Sequence, residues 1–260
     1  LCVSCIVIIF SMALYHLYRP QTFAGIIDQE HIVKTLENQI ATGNTGHAYL
    51  FSGPRGIGKT STARILAKAI NCEKRKPGES EPCNACPSCE EIGSCVSLDV
   101  IEIDAASHTG VDNVRENIIE NARFLPTKSR SKVFLIDEVH MLSGSAFNAL
   151  LKTLEEPPAR VVFILATTDQ EKLPETIISR CQRFTFHKVP SERLKEHLSV
   201  IAKKEGVAID DDVLERIAMK GDGSVRDAVS ILDQLMSCGE KHITEKIADL
   251  FLPSPPAGKA

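Results

Sequence analysis

The stretch that decides the fold is Gly53-Pro54-Arg55-Gly56-Ile57-Gly58-Lys59-Thr60, a Gly-x4-Gly-Lys-Thr pattern. Its glycines let successive backbone N–H groups converge on the β- and γ-phosphates of a nucleotide. Lys59 brings a mobile positive charge, and the Thr60 hydroxyl can ligate Mg²⁺. The pattern carries this meaning only between a strand and a helix. Both are present: residues 48–51 (AYLF) form a short apolar strand running into Gly53, and residues 59–71 (KTSTARILAKAIN) read as a helix. A glycine-rich turn that holds no nucleotide is the plainer reading, and these flanks argue against it.

Working outward, residues 29–42 place Ile32, Leu36 and Ile40 four apart on one helical face, with Gly43 as a natural stop. Further apolar strands are expected at 100–103, 133–137 and 161–168, with helical stretches near 112–123 and 145–155 between them. Short, continuous apolar strands suit a parallel sheet covered on both faces. Their alternation with helices predicts a doubly wound α/β domain over residues 15–188. Past residue 189 the pattern changes to helices at 191–206, 211–220 and 224–237, with no strand signal. A small helical domain is therefore expected at 189–252, and the Pro-rich run 253–260 (PSPPAGKA) reads as a tail or linker.

Three further constellations carry chemistry. Residues 133–138 (VFLIDE) form an apolar strand that delivers Asp137 and Glu138 to the carboxyl edge of the sheet, where ligands bind in open α/β folds. Asp137 is placed to hold Mg²⁺ through water, and Glu138 to polarise an attacking water. That second acid favours hydrolysis over transfer to a small acceptor. Next, Cys83-x-x-Cys86-x-x-Cys89, with Cys72 upstream, supplies four thiolates suited to tetrahedral Zn²⁺ in a closed structural site spanning 72–95. Cys95 is a spare that can replace Cys72 in this count. An iron–sulfur cluster or a redox dithiol uses the same residue type, and spacing alone does not separate them. Finally, Thr167 and Thr168 end the strand 161–168, Arg180 precedes a strand at 181–189, and Arg226 sits in the first turn of a helix. A cation there opposes the helix dipole, so Arg226 is poorly chosen for local stability.

Composition sets the outer limits. The chain has 260 residues, 43% of them hydrophobic, with 30 basic and 34 acidic side chains and a net charge of −4. These values exclude disorder, collagen and a polytopic membrane protein, and they exclude strongly basic, non-specific nucleic-acid binding. Trp is absent and aromatics are 5%, so a base-stacking platform is not expected. Residues 1–14 (LCVSCIVIIFSMAL) are apolar but too short to span a bilayer, and they lack the basic start and cleavage site of a leader. Translation is expected to begin at Met12, with residues 1–11 upstream of the native start.

Taken together, the motifs resemble one family. LYRPQTF (17–23), the phosphate loop, the cysteine cluster, DAASHTGVDNVRE (104–116) and VFLIDEVHML (133–142) occur in the order found in bacterial clamp-loader ATPases of DNA polymerase III, of the gamma/tau type. LLKTLEEPP (150–158), LATTD (165–169), SRC (179–181) and GSVRDA (223–228) continue the match to about residue 252. The resemblance implies an AAA+ module, an α/β nucleotide-binding domain with an inserted zinc knuckle followed by a helical lid. It implies ATP, Mg²⁺ and Zn²⁺ as cofactors. Tyr18, Arg19 and Pro20 then hold adenine and ribose, and Gly53, Gly56, Gly58, Lys59, Thr60 and Ser61 hold the phosphates. Asp137 and Glu138 form the acidic pair, with Thr60 and Asp137 on Mg²⁺. Thr168 senses the nucleotide, Arg226 reaches it from the lid, and Arg180 acts in trans on a neighbour's ATP. Zinc falls on Cys72, Cys83, Cys86 and Cys89. The implied partners are delta, delta-prime and further gamma/tau subunits, the sliding clamp and primer-template DNA, all in the cytoplasm and none in a membrane. Members of the family continue into a collar domain that holds a pentamer together. Ser107, His108, Thr109 and Arg115 are candidate DNA contacts. A Holliday-junction or replication-restart AAA+ translocase is the alternative; it shares the ATP motifs but is not expected to carry the four cysteines.

Overall fold

The structure, a computed structural model, describes residues 13–107 and 110–251. The 1–11 stretch, the Met12 start, His108, Thr109 and the run 253–260 lie outside the described residues. The chain divides into two compact units. One is Pro20–Val189, and the other joins the described residues up to Arg19 with those from Pro190 onward.

After a one-turn helix α1 (Leu14–Leu17), the larger unit opens with α2 (Glu30–Thr42), β1 (Ala48–Ser52) and α3 (Lys59–Asn71). It continues through α4 (Pro87–Gly93), β2 (Val100–Asp104) and α5 (Val111–Val114), which runs into a π-helical turn at Arg115–Glu120. Then follow β3 (Lys132–Asp137), α6 (Gly144–Glu155), β4 (Val161–Thr167), α7 (Glu175–Ile178) and β5 (Gln182–Thr185). The five strands form one parallel sheet in the order β2-β3-β4-β1-β5.

Alternation along each strand explains why both faces are covered. Tyr49, Phe51, Val133 and Leu135 pack with Leu36 of α2 and Leu66 of α3. Their neighbours Leu50, Phe134 and Ile136 pack on the opposite face with Leu150 of α6. All five residues of β1 are buried, as a central strand covered on both sides must be. The registers Ser52↔Thr167 and Asp104↔Asp137 align the carboxyl ends of four strands at one edge. That edge carries the site.

The second unit contains α8 (Ser191–Lys204), β6 (Ala208–Ile209), α9 (Asp211–Lys220), α10 (Val225–Met236), β7 (His242–Ile243) and α11 (Glu245–Phe251). Leu14 of α1 is buried there and its N–H donates to Asp233 at 3.1 Å. The short segment before Pro20 thus belongs with the helices rather than with the α/β unit, a correction to the 15–188 span expected from sequence.

Three local expectations also change. The strand expected at 181–189 is only Gln182–Thr185. Its partner β1 turns into the phosphate loop after Ser52, and beyond one last bond from Phe186 N to Ser52 O the Gln29 side chain takes over. Gln29 accepts from His187 N at 3.2 Å and donates to His187 O at 2.8 Å, ending the ladder. The helical part, read as strand-free, holds the parallel pair β6–β7, in which Ala208 and Ile209 pair with His242 and Ile243. Two residues are too few for alternation to register in sequence. The helix read near 112–123 is broken in character by the π-helical turn.

Candidate nucleotide site and cysteine cluster

The phosphate loop is built around backbone conformations that side chains avoid. Gly53 has φ +138°, and a Cβ there would lie 2.4 Å from the Phe186 carbonyl oxygen, so only glycine fits. Gly58 has φ +106° with nothing within 4 Å of such a Cβ, so glycine is required there by backbone conformation and not by a close neighbour. Gly56 also has positive φ, +76°. Gly53 N–H donates to Thr167 O at 3.2 Å, tying the loop to the end of β4. Lys59 begins α3 and is buried, its Nζ donating to the carbonyls of Gly53 and Pro54, both at 2.6 Å. Burial pulls its pKa below the ordinary lysine value, while the nearby Glu138 and Asp137 charges oppose the shift.

Thr60 and Ser61 follow in the first turn of α3. Thr60 Oγ1 donates to Asp137 Oδ2 at 2.7 Å, joining the two sequence motifs across 77 residues. Glu138 adopts the left-handed conformation (φ +46°), uncommon outside glycine, and this turns its side chain from the strand direction toward β4. There Glu138 Oε2 accepts from the Thr168 hydroxyl at 2.9 Å and the Thr168 N–H at 3.2 Å. His140 Nδ1 lies 3.4 Å from the same oxygen and 3.0 Å from Thr167 Oγ1. Lys59, Thr60, Asp137, Glu138 and Thr168 therefore converge on one strand edge. His140 completes the group; it lies inside VFLIDEVHML, yet nothing in its spacing marks it.

The other expected residues have partners of their own. Arg180 ion-pairs with Glu155 of α6 and donates to Thr176 O at 2.5 Å. Arg226, in the helical unit, lies 5.0 Å from the centre of the Tyr15 ring. Ser224 caps its helix by accepting from Asp227 N at 3.2 Å. Tyr18 donates to Glu205 Oε1 at 2.6 Å, a bond that raises the phenol pKa to about 12. Tyr18 and Arg19 close the first part of the helical unit, and Pro20 opens the α/β unit. Of the described DNA candidates, Ser107 donates to Asp104 at 3.2 Å and exposed Arg115 lies 3.8 Å from Asp112.

The sulfurs of Cys72, Cys83, Cys86 and Cys89 all lie within 4.8 Å of one another. A tetrahedral site with metal–sulfur bonds of about 2.3 Å needs sulfurs about 3.8 Å apart, and Cys83 and Cys89 are 4.0 Å apart. Cys72, Cys86 and Cys89 are buried and Cys83 is nearest solvent. Main-chain N–H groups of Cys83 and Ala85 point at the sulfurs of Cys72 and Cys83, at 3.4 and 3.5 Å. Burial pushes the Cys86 thiol up, but N–H groups and neighbouring thiols outweigh it and bring the pKa to about 7. Burial and the same crowding raise Cys89. Four sulfur donors, three of them buried, fit a structural metal ion with all four positions taken by protein. Cys95 stands outside the group, 4.0 Å from Glu102.

Comparison with known proteins places these parts in one family. Residues 28–190 match the family model described as DNA polymerase III, delta subunit, and residues 193–241 match that of the DNA polymerase III clamp loader subunit, ATPase lid domain. The chain belongs to the clamp-loader subunit family of DNA polymerase III. Within it, the chain is 52% identical over 225 residues to DNA polymerase III subunit tau of Bacillus subtilis, covering 86% of this chain and 39% of that protein. It is 46% identical over 235 residues to subunit tau of Escherichia coli, covering 90% and 36%. With subunit gamma of Buchnera aphidicola the identity is 48% over 229 residues, covering 88% and 63%. The chain thus spans less than two thirds of each of these relatives. Among solved structures, the Thermotoga maritima RuvB Holliday junction branch migration motor superposes with a TM-score of 0.66 at 21% identity, covering 90% of this chain and 72% of that one. That likeness is of fold alone, an AAA+ α/β domain followed along the chain by a helical domain. No helix among the described residues is long and apolar enough to cross a membrane.

Proposed function

We propose that this chain is the ATP-hydrolysing motor part of a clamp-loader subunit, acting in the cytoplasm to open the sliding clamp and place it on primer-template DNA. The observation that supports this most is the Glu138–Thr168 bond beside the Thr60–Asp137 bond, a water-activating acid held next to a metal-binding pair. Lys59 turns its ammonium from the loop carbonyls to phosphate oxygens, and the N–H groups of Gly56, Gly58, Thr60 and Ser61 cradle them. Thr60 Oγ1 and Asp137 are the residues that would hold Mg²⁺, which neutralises phosphate charge when bound. Glu138 accepts a hydrogen bond from the attacking water, and Thr168 keeps its carboxylate aimed.

Arg226 is proposed to sense nucleotide from the lid, and Tyr18, Arg19 and Pro20 to hold base and ribose. Arg180 is proposed to act on ATP held by a neighbouring subunit, which requires exchanging Glu155 for phosphate. The partners would be delta, delta-prime and further gamma/tau copies. Cys72, Cys83, Cys86 and Cys89 would bind Zn²⁺ and stabilise an excursion in which Cys72, Cys86 and Cys89 form a buried cluster and Ile92 packs on the main core. The test is Glu138→Gln. It should leave ATP binding intact and slow turnover by roughly 10²- to 10⁴-fold, the usual scale for a lost general base. Unchanged turnover would remove Glu138 from the mechanism.

A further inference from the structure

The loop that carries the cysteines reaches back to the chain that leaves Tyr18-Arg19-Pro20. Glu81, two residues before Cys83, sets both carboxylate oxygens on main-chain donors: Oε2 accepts from Phe23 N and Oε1 from Ala24 N, each at 2.8 Å. Asn84, between Cys83 and Cys86, donates to Gln21 O at 2.9 Å. Lys68 of α3 donates to Gln21 Oε1 at 2.6 Å and to Asn84 Oδ1 at 3.1 Å, closing the triangle on the helix that the phosphate loop leads into. Phe23 is fully buried in the sheet's core, and a Cβ at Gly25 would come within 3.1 Å of Pro20 Cβ, so the turn is packed tightly against Pro20.

We infer that the cysteine loop is a positioning device for the base- and ribose-binding segment, with Glu81 and Asn84 as its positioning residues. The inference rests on the reading of Tyr18–Pro20 as that segment. The Glu81 carboxylate supplies acceptors for two consecutive N–H groups at the start of a single turn, which has no preceding turn to supply them. Charge-assisted bonds of this kind are stronger than neutral ones. The cysteine cluster helps fix where Glu81 and Asn84 stand, because Cys83 lies two residues from Glu81 and next to Asn84, and Cys72, Cys86 and Cys89 pack as a buried cluster of their own. The consequence is a division of labour. The phosphates are held by the loop at 53–60 whether or not Glu81 is present, whereas base and ribose binding weakens when Glu81 no longer pins residues 21–24, which continue directly from Pro20.

The experiment compares binding of Mg-ATP and of inorganic tripolyphosphate to the intact protein, with Glu81→Gln, Glu81→Ala and Arg19→Ala variants. Hydrogen exchange at the Phe23 and Ala24 amides is followed in parallel, as are metal content and melting temperature. Glu81→Gln should weaken ATP roughly five- to tenfold, in line with one or two lost charge-assisted bonds. It should leave tripolyphosphate affinity and metal content nearly unchanged, lower the melting temperature by only a few degrees, and speed exchange at both amides. Stripping the metal with a chelator should speed the same two amides. Equal weakening of ATP and tripolyphosphate, or unaltered exchange at Phe23 and Ala24 after chelation, would overturn the inference. If Arg19→Ala weakens ATP and both Glu81 variants do not, the coupling is wrong and the base-site reading stands. If Arg19→Ala has no effect on ATP, the base-site reading fails and the inference with it.

Discussion

Gly53→Ala places one methyl group where the structure leaves no room for it. At φ +138° an L side chain sits in a sparsely populated backbone region, and its Cβ would press to 2.4 Å on the Phe186 carbonyl oxygen. Neither side yields easily. Phe186 is buried in the core and its N–H bonds Ser52 O at 2.8 Å, while Gly53 N–H is held by Thr167 O at 3.2 Å. Backbone strain of about 1–3 kcal/mol and overpacking of similar size give a total of roughly 3–5 kcal/mol. Gly43→Ala is the matched control. It has φ +73° at the end of α2 but nothing within 4 Å of the added carbon, so only the left-handed penalty of about 1 kcal/mol applies. For a unit of this size these figures correspond to drops in melting temperature of roughly 10 °C and 3 °C. Thermal unfolding by circular dichroism, with nucleotide titration alongside, measures both. Gly53→Ala should also lose ATP binding, because relieving the clash displaces the carbonyl that Lys59 bonds. Equal melting temperatures for the two variants would refute the steric argument.

Other expectations follow from the same geometry. Asp99 is buried and accepts from the N–H groups of Thr127, Lys128 and Ser129 at 2.7, 2.8 and 2.8 Å; burial raises its pKa, but these bonds outweigh it and leave it lowered. Asp99→Asn should cost about 2–3 kcal/mol of stability at neutral pH. Because the folded pKa is the lower one, this contribution is complete above the ordinary aspartate value near 3.9 and fades as pH falls through the folded value; denaturant midpoints of the two proteins across acidic pH should converge, and parallel curves would refute it. Arg180→Ala should leave the subunit's own ATP affinity intact and slow hydrolysis at a neighbouring site by roughly 10³-fold, the lower range for an arginine supplied in trans. Mixed assemblies with one inactive Lys59 variant read this out, and loss of affinity in cis would exclude the trans role. Elemental analysis should find about one zinc per chain, bound by four sulfurs; iron would displace the structural-zinc reading.

The parts legible in sequence are those whose chemistry is written in contiguous residues. Residues 53–60 carry their glycine conformations and flanking elements in one run, and helix 59–71 is found with those same bounds. Asp137 is readable because an apolar strand must end in something, and an acid at that edge has few structural uses. Long-range pairing between polar groups leaves no such trace. The Asp99 nest joins residues about thirty apart, Glu81 meets Phe23 and Ala24 across nearly sixty, and no periodicity registers either. His140 fails to stand out because a histidine one turn after an acidic pair has many ordinary roles. Strand β5 is shorter than its sequence suggests because apolar residues continue through Phe186 and Val189, while nothing local shows that Gln29 replaces the missing partner strand. The near balance of acidic and basic residues argues against tight DNA binding by one copy, so DNA contact in the proposed role depends on an assembled ring.

The central claim is that ATP turnover by this protein is coupled to clamp and DNA. The direct measurement is steady-state ATP hydrolysis by the complete clamp-loader assembly, with and without the sliding clamp and primed DNA. The rate should rise with the two together and fall by roughly 10²- to 10⁴-fold in Glu138→Gln. A rate that neither clamp nor primed DNA changes would contradict it.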